Sequence, residues 1–133
     1  MANALYPTYK QLILGAGLNL TTLNLKVVLV DTGAYTYSAA HDFLDDITVG
    51  ARIATSGNLA SKTVTNGTFD AADITITAVS GVTVEALVIY NDTGTAATSN
   101  LIAYMDTGVT GLPFTPNGGD VTIQWNASGI FAL

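Results

Sequence analysis

The chain has no cysteine, which excludes thiol catalysis, iron–sulfur clusters and cysteine-ligated zinc. Charge is scarce: Asp, Glu, Lys and Arg make up 11% of residues, against about 25% in an average soluble domain. The basic residues are Lys10, Lys26, Arg52 and Lys62, so residues 63–133 hold no base at all. Residues 1–62 balance those four bases with Asp31, Asp42, Asp45 and Asp46, and the net charge of −6 therefore sits in the second half. Phosphate binding needs clustered Lys and Arg, so nucleic acid is not an expected partner, and an anionic membrane surface is disfavoured by the same sign. Hydrophobic residues reach 49%, yet no run approaches the roughly 20 apolar residues of a membrane span. The N-terminal apolar run Leu12 to Leu14 is broken at once by Gly15 and Gly17. The opening MANALYPTYK lacks a basic stretch followed by an apolar one, so no signal peptide is expected.

What is present points to strands and turns. A chain of 133 residues and 13.7 kDa has room for a single domain, residues 1–133. Twenty threonines and thirteen glycines accompany a single glutamate. Threonine suits a pleated surface and keeps an outer face polar without charge, whereas a helical protein of this size would carry more Glu and Lys. One short N-terminal helix is expected at about 7–14. Pro7 suits the first helical position, Leu5, Tyr9, Leu12 and Ile13 share one face, and Gly15 and Gly17 stop it.

Beyond that helix the apolar period becomes two. Leu23, Leu25, Val27 and Leu29 define a strand at about 23–30. A helical turn is expected around Ala39 to Leu44, started by Ser38, then a strand at 47–55 with Gly50 as a bulge or bend. Asn66-Gly67 signals a tight turn within 61–69. Ile74, Ile76 and Ala78 alternate with Thr75 and Thr77, and Val82, Val84, Ala86 and Val88 alternate after Ser80-Gly81, which reads as a hairpin. Its second strand turns apolar on both faces at Leu87 to Ile89 and should lie between two layers. Further strands are expected at 99–105, 120–126 and 129–133, with Val121, Ile123 and Trp125 facing in alongside Ile74, Ile76, Val84 and Val88. About eight short, turn-separated strands predict an all-β antiparallel sandwich or barrel.

Few constellations carry chemistry. Residues 29–34, LVDTGA, match the active-site signature of retroviral-type aspartic proteases, which are homodimers whose two aspartates share a proton. Asp31 would then be the catalytic group. Against this, Asp-Thr-Gly recurs at Asp92 and Asp106, each time where a strand should end, and those residue types are ordinary turn formers. Such proteases also carry a later apolar-apolar-Gly-Arg brace, whereas the sole arginine, Arg52, comes early, in GARIA.

His41 lies in HDFLDD without a nucleophile-elbow serine or a calcium-loop pattern, and reads as a solvated turn. Glu85 cannot by itself run two-carboxylate glycosidase chemistry and reads as an outward strand residue. Gly15-Ala16-Gly17 follows a helix instead of opening one, so it is no phosphate loop. The aromatics show no repeated stacking pattern for bases or sugars. No catalytic residue, cofactor or metal is therefore expected, and the chain reads as a non-enzyme. Residues 106–119 form a loop too long for a tight hairpin, since hairpin loops run to about 5 residues. Its Leu112 and Phe114 are apolar residues on a polar segment and are the candidate interface, unless both tuck under the loop as a satellite cluster.

Several blocks together carry a resemblance: MANALYPTYKQLILGAGLNL, LKVVLVDTGAYTYSAAHDFLDDI, ARIATSGNLASKTVTNGTFDAADITITAV and EALVIYNDTGTAATSNLIAYMDTGVTGLPFTPNGGDVTIQW with the terminal IFAL. Over nearly its full length the chain resembles the capsid decoration, or cement, proteins and related small virion structural proteins of tailed bacteriophages. The resemblance implies a jelly-roll-like β-sandwich made in the host cytoplasm and placed on the capsid surface of the virion. There it would bind the major capsid protein, bridge neighbouring subunits and act as a homo-oligomer, a dimer or trimer. A β-sandwich module of a tail or fibre that binds a sugar is the alternative.

Overall fold

The computed structural model describes residues 3–133. In chain order the elements are β1 (Ala4–Leu5), α1 (Pro7–Leu14), β2 (Leu25–Val30), β3 (Arg52–Thr55), β4 (Thr63–Thr65) and β5 (Thr68–Asp70). They continue as β6 (Ile74–Ile76), β7 (Ala86–Asn91), β8 (Leu101–Met105), β9 (Val121–Ile123) and β10 (Phe131–Ala132). Short 3₁₀ turns lie at Leu44–Asp46, Val49–Ala51 and Ala96–Thr98. The helix falls where the sequence puts it, with Pro7 in its first turn.

The strands make three antiparallel sheets: β1-β8-β7-β2-β3, β10-β5-β4 and β6-β9. The fold is thus all-β and sandwich-like, with one short helix. A jelly roll is a double-sheet, eight-stranded winding, and pairings in sheets of five, three and two strands do not by themselves establish it. The middle of the five-stranded sheet is the core. Every residue of β7 and β8 is buried, and of β2 all but Lys26. Strands apolar on both faces lose water on both sides only between two layers, as expected for Leu87 to Ile89. One contiguous cluster joins these strands to Tyr6, Tyr9, Ile47, Phe69, Ile76, Val84, Ile123 and Trp125.

Four local expectations change. The hairpin across Ser80-Gly81 does not form: β6 pairs with β9, Ile74 opposite Ile123, while β7 pairs with β2 and β8. The chain turns away at Ala78 (φ 52°) and Gly81 (φ 128°), and the Val79 N–H donates instead to the Gly119 carbonyl at 3.0 Å. The 3₁₀ turn expected from Ala39 starts at Leu44, because Asp46 Oδ2 accepts the N–H groups of Asp42 (2.8 Å) and Phe43 (3.3 Å) and closes the turn there. Gly50 is no bulge; it lies in the 3₁₀ turn that leads into β3, and the register slip falls at Leu29/Val30. The last two strands are shorter than the expected 120–126 and 129–133, with β9 pairing β6 and β10 pairing β5. The Asn66-Gly67 turn stands as expected, both residues at positive φ (51° and 78°), joining β4 to β5.

Candidate functional site

The three Asp-Thr-Gly triplets each begin one residue after a strand: Asp31 after β2, Asp92 after β7 and Asp106 after β8. Asp31 Oδ1 accepts the Gly33 N–H at 2.8 Å, and Asp92 Oδ1 accepts the Gly94 N–H at 3.0 Å. The same aspartate-headed turn thus recurs at two strand ends, with the carboxylate holding the backbone that leaves the sheet. The main-chain carbonyl of Asp31 also accepts from Ala34 and Tyr35. The HDFLDD segment is likewise built by its own acids. Burial opposes ionisation of Asp46, but the N–H groups of Asp42 and Phe43 outweigh it and hold the carboxyl below its ordinary value, with His41 adding to them. Among the described residues no three His, Cys, Asp or Glu side chains gather where they could hold a metal ion, and no helix is long and apolar enough to cross a membrane.

Two features stand out that the sequence did not announce. The first is an aromatic cluster at one end of the five-stranded sheet. The Tyr6 and Tyr35 hydroxyls meet at 2.8 Å, and Tyr35 Oη lies 2.9 Å from His41 Nδ1. The Tyr37 ring stands 5.1 Å from that of Tyr6 and 5.5 Å from that of Tyr104. Burial pushes the Tyr6 hydroxyl far above the ordinary phenol range, and its bond to Tyr35 adds to this. Burial pushes Tyr35 up to about 12. Tyr104 is raised by burial and then by the Asp106 and Glu85 carboxylates. The cluster opens into a cavity of about 270 Å³ lined by Thr32, Tyr35, Tyr37, Glu85, Tyr104 and Asp106. The spacing Tyr35-x-Tyr37 in extended chain was the available signal: alternate residues share a side.

The second feature is an apolar cleft of about 550 Å³ between α1 and the β10-β5-β4 sheet. Tyr9, Ile13, Leu18, Val64, Phe69 and Phe131 line it. Leu133 lies on the same cleft, 68% exposed, Val64 is 55% exposed, and Leu14, which follows Ile13 on the helix, is 88% exposed. Phe131 packs 5.3 Å from Phe69 and edge-on to Tyr9 at 6.0 Å. The helical face predicted from Leu5, Tyr9, Leu12 and Ile13 thus meets the sheet through Tyr9 and Ile13 but leaves an open apolar channel beside them.

The candidate interface pair is half-buried and packs against the core. Phe114 exchanges both backbone hydrogen bonds with Val84, at 2.8 and 3.0 Å, and Thr115 Oγ1 meets Thr83 Oγ1 at 3.0 Å. The 106–119 loop is therefore laced to residues 79–84, with Leu112 and Phe114 turned toward the core. No protein-family model matches the chain, and no curated protein matches it significantly in sequence.

Proposed function

We propose that this chain is a structural virion protein of a tailed bacteriophage, one that binds the outside of the capsid and bridges neighbouring subunits of the expanded head. The sequence resemblance suggests the setting. The observation that carries a binding role is the apolar cleft beside α1, with Val64 and Leu133 exposed along it. Apolar surface is stabilised by removal from water at about 25 cal/mol per Å², so such a channel is suited to a protein partner, here the major capsid protein. A threonine-rich, charge-poor skin adds little long-range steering, so specificity rests on shape and on many copies acting together. A clamp that binds only the expanded lattice stabilises it by mass action without a cofactor or a chemical step. Copies on the lattice form a dimer or trimer.

The test is co-sedimentation of the purified protein with expanded and unexpanded phage heads that lack it. Binding to expanded heads, a raised head melting temperature, and loss of both on Val64→Glu or Leu133→Glu are expected. Both side chains are exposed, so the fold tolerates the change. Binding to tail fractions or glycans in place of heads would move the protein to the tail or fibre reading.

A further inference from the structure

The cavity at the end of the five-stranded sheet has walls and charge of a particular kind. Because β2 and β8 run in the same direction and β7 runs against them, the ends of β2 and β8 and the start of β7 share one edge of the sheet. That edge brings together Thr32, Asp106 and Glu85, and the loop after β2 adds Tyr35 and Tyr37. Tyr37 and Tyr104 are tilted by 52° and make two walls of a corner. The faces of aromatic rings are electron-rich and attract a cation within about 6 Å of the ring centre.

Glu85 supplies the charge. Its Oε2 accepts the Thr32 N–H at 3.0 Å, which fixes the carboxylate at the mouth, and no lysine or arginine is among the lining residues named for the cavity. Three of the four described basic side chains are engaged elsewhere, and Lys10 does not line the cavity. Arg52 donates to the Ile47 and Leu44 carbonyls, Lys26 pairs with Asp92, and Lys62 donates to the Leu23 carbonyl.

We propose that this cavity is a binding site for an organic cation with N–H donors, an alkylammonium or guanidinium group, held between the Glu85 carboxylate and the Tyr37 and Tyr104 rings. The ammonium or guanidinium donates to the carboxylate while its apolar stem lies against the rings. A volume of about 270 Å³ has room for one such group. Two sources present this chemistry, a free small cation and a lysine or arginine side chain on another protein. The site is separate from the apolar cleft and stands whether or not the chain belongs to a capsid.

The experiment is an NMR titration of the full chain, following tyrosine ring resonances, with n-butylguanidinium and with Nα-acetyl-arginine amide, and with Nα-acetyl-citrulline amide as the neutral isostere. Saturable shifts at Tyr37 and Tyr104 with both cations and none with citrulline are expected. Glu85→Gln keeps an acceptor for the Thr32 N–H but removes the charge, and should weaken binding by roughly fivefold or more. Tyr37→Leu should abolish binding where Tyr37→Phe retains it, with circular dichroism confirming that each variant is folded. A tighter response to the arginine amide than to n-butylguanidinium assigns the site to a partner's side chain, and an equal response to a free cation. Absence of saturation at tens of millimolar, an equal response to citrulline, or indifference to Glu85→Gln in folded protein would overturn the proposal.

Discussion

Tyr6 and Tyr35 share a hydrogen bond of 2.8 Å between hydroxyls, and Tyr6 is wholly buried. The bond binds the start of the chain to the segment after β2. Ionising either phenol would leave a charge among apolar atoms, so burial raises both, Tyr35 to about 12, and Tyr9 likewise to about 12. A group whose folded value is raised stabilises fully below its unfolded value, near 10 for tyrosine. That stability is lost as pH climbs from about 10 toward the folded value. Absorbance at 295 nm should show Tyr6, Tyr9 and Tyr35 ionising only as the fold is lost. Tyr6→Phe removes one of the Tyr35 hydroxyl's two partners and leaves His41 Nδ1, so it should cost about 0.5–1.5 kcal/mol. A single smooth titration near pH 10 in folded protein would count against the cluster.

Lys26 and Asp92 pair at 2.8 Å, each about a quarter exposed, at the opposite end of the sheet. The Lys26 ammonium and then the Gly94 N–H hold the Asp92 carboxyl below its ordinary value. A lowered carboxylate contributes above its unfolded value, about 3.9, and that contribution disappears as pH falls through the folded value. Asp92→Asn keeps an acceptor for Gly94 and should cost about 0.2–1 kcal/mol at pH 7, screened as it is by solvent. In urea unfolding at pH 2.5 the gap between variant and parent should close.

The sequence made faces legible and partners illegible. Period-two alternation identified Ile74, Ile76, Val84, Val88, Val121, Ile123 and Trp125 as inward-facing; Ile74 and Val121 are half-buried and the others are buried. It could not say that Ile74 lies opposite Ile123, because alternation carries side and not register or neighbour. Ser80-Gly81 looked like a hairpin since turn residues flanked by strands are the commonest local cue; the long-range bonds of Val79 to Gly119 and Val84 to Phe114 won instead. The Asn66-Gly67 turn was legible because its positive φ values are a property of those two residues alone. The tyrosine cavity draws on residues from 32 to 106 and the cleft on residues from 9 to 133. Only tertiary pairing assembles either.

Trp125 is 8% exposed, its indole N–H donates to the Ala72 carbonyl at 3.1 Å, and its backbone N–H donates to Asp73 Oδ1 at 2.9 Å. Trp125→Ala should destabilise by about 3–5 kcal/mol, as large aromatic truncations do. Trp125→Phe keeps much of the apolar volume and loses the indole bond to Ala72, so about 1–2 kcal/mol of the loss should remain. Equilibrium denaturation of both variants checks this. A loss below about 1 kcal/mol for the alanine variant would mean that the ring is not packed as described.

Leu112→Ser with Phe114→Ser separates packing from docking in the 106–119 loop. The pair is half-buried against the core, and the Phe114 backbone is bridged to Val84. Replacing both with serine removes apolar contact from a segment held at Val79, Val84 and Gln124 by main-chain bonds. Those bonds do not depend on the side chains, so the loop should stay attached while the packing beneath it weakens. The double variant should therefore lose about 2–4 kcal/mol, near the sum of two half-buried truncations, with a matching fall in melting temperature. Head binding per folded molecule should then be unchanged, since the exposed apolar surface of Leu14, Val64 and Leu133 lies elsewhere. An unchanged melting temperature with binding lost would make Leu112 and Phe114 the contact after all, and would shift the proposed interface from the cleft to this loop.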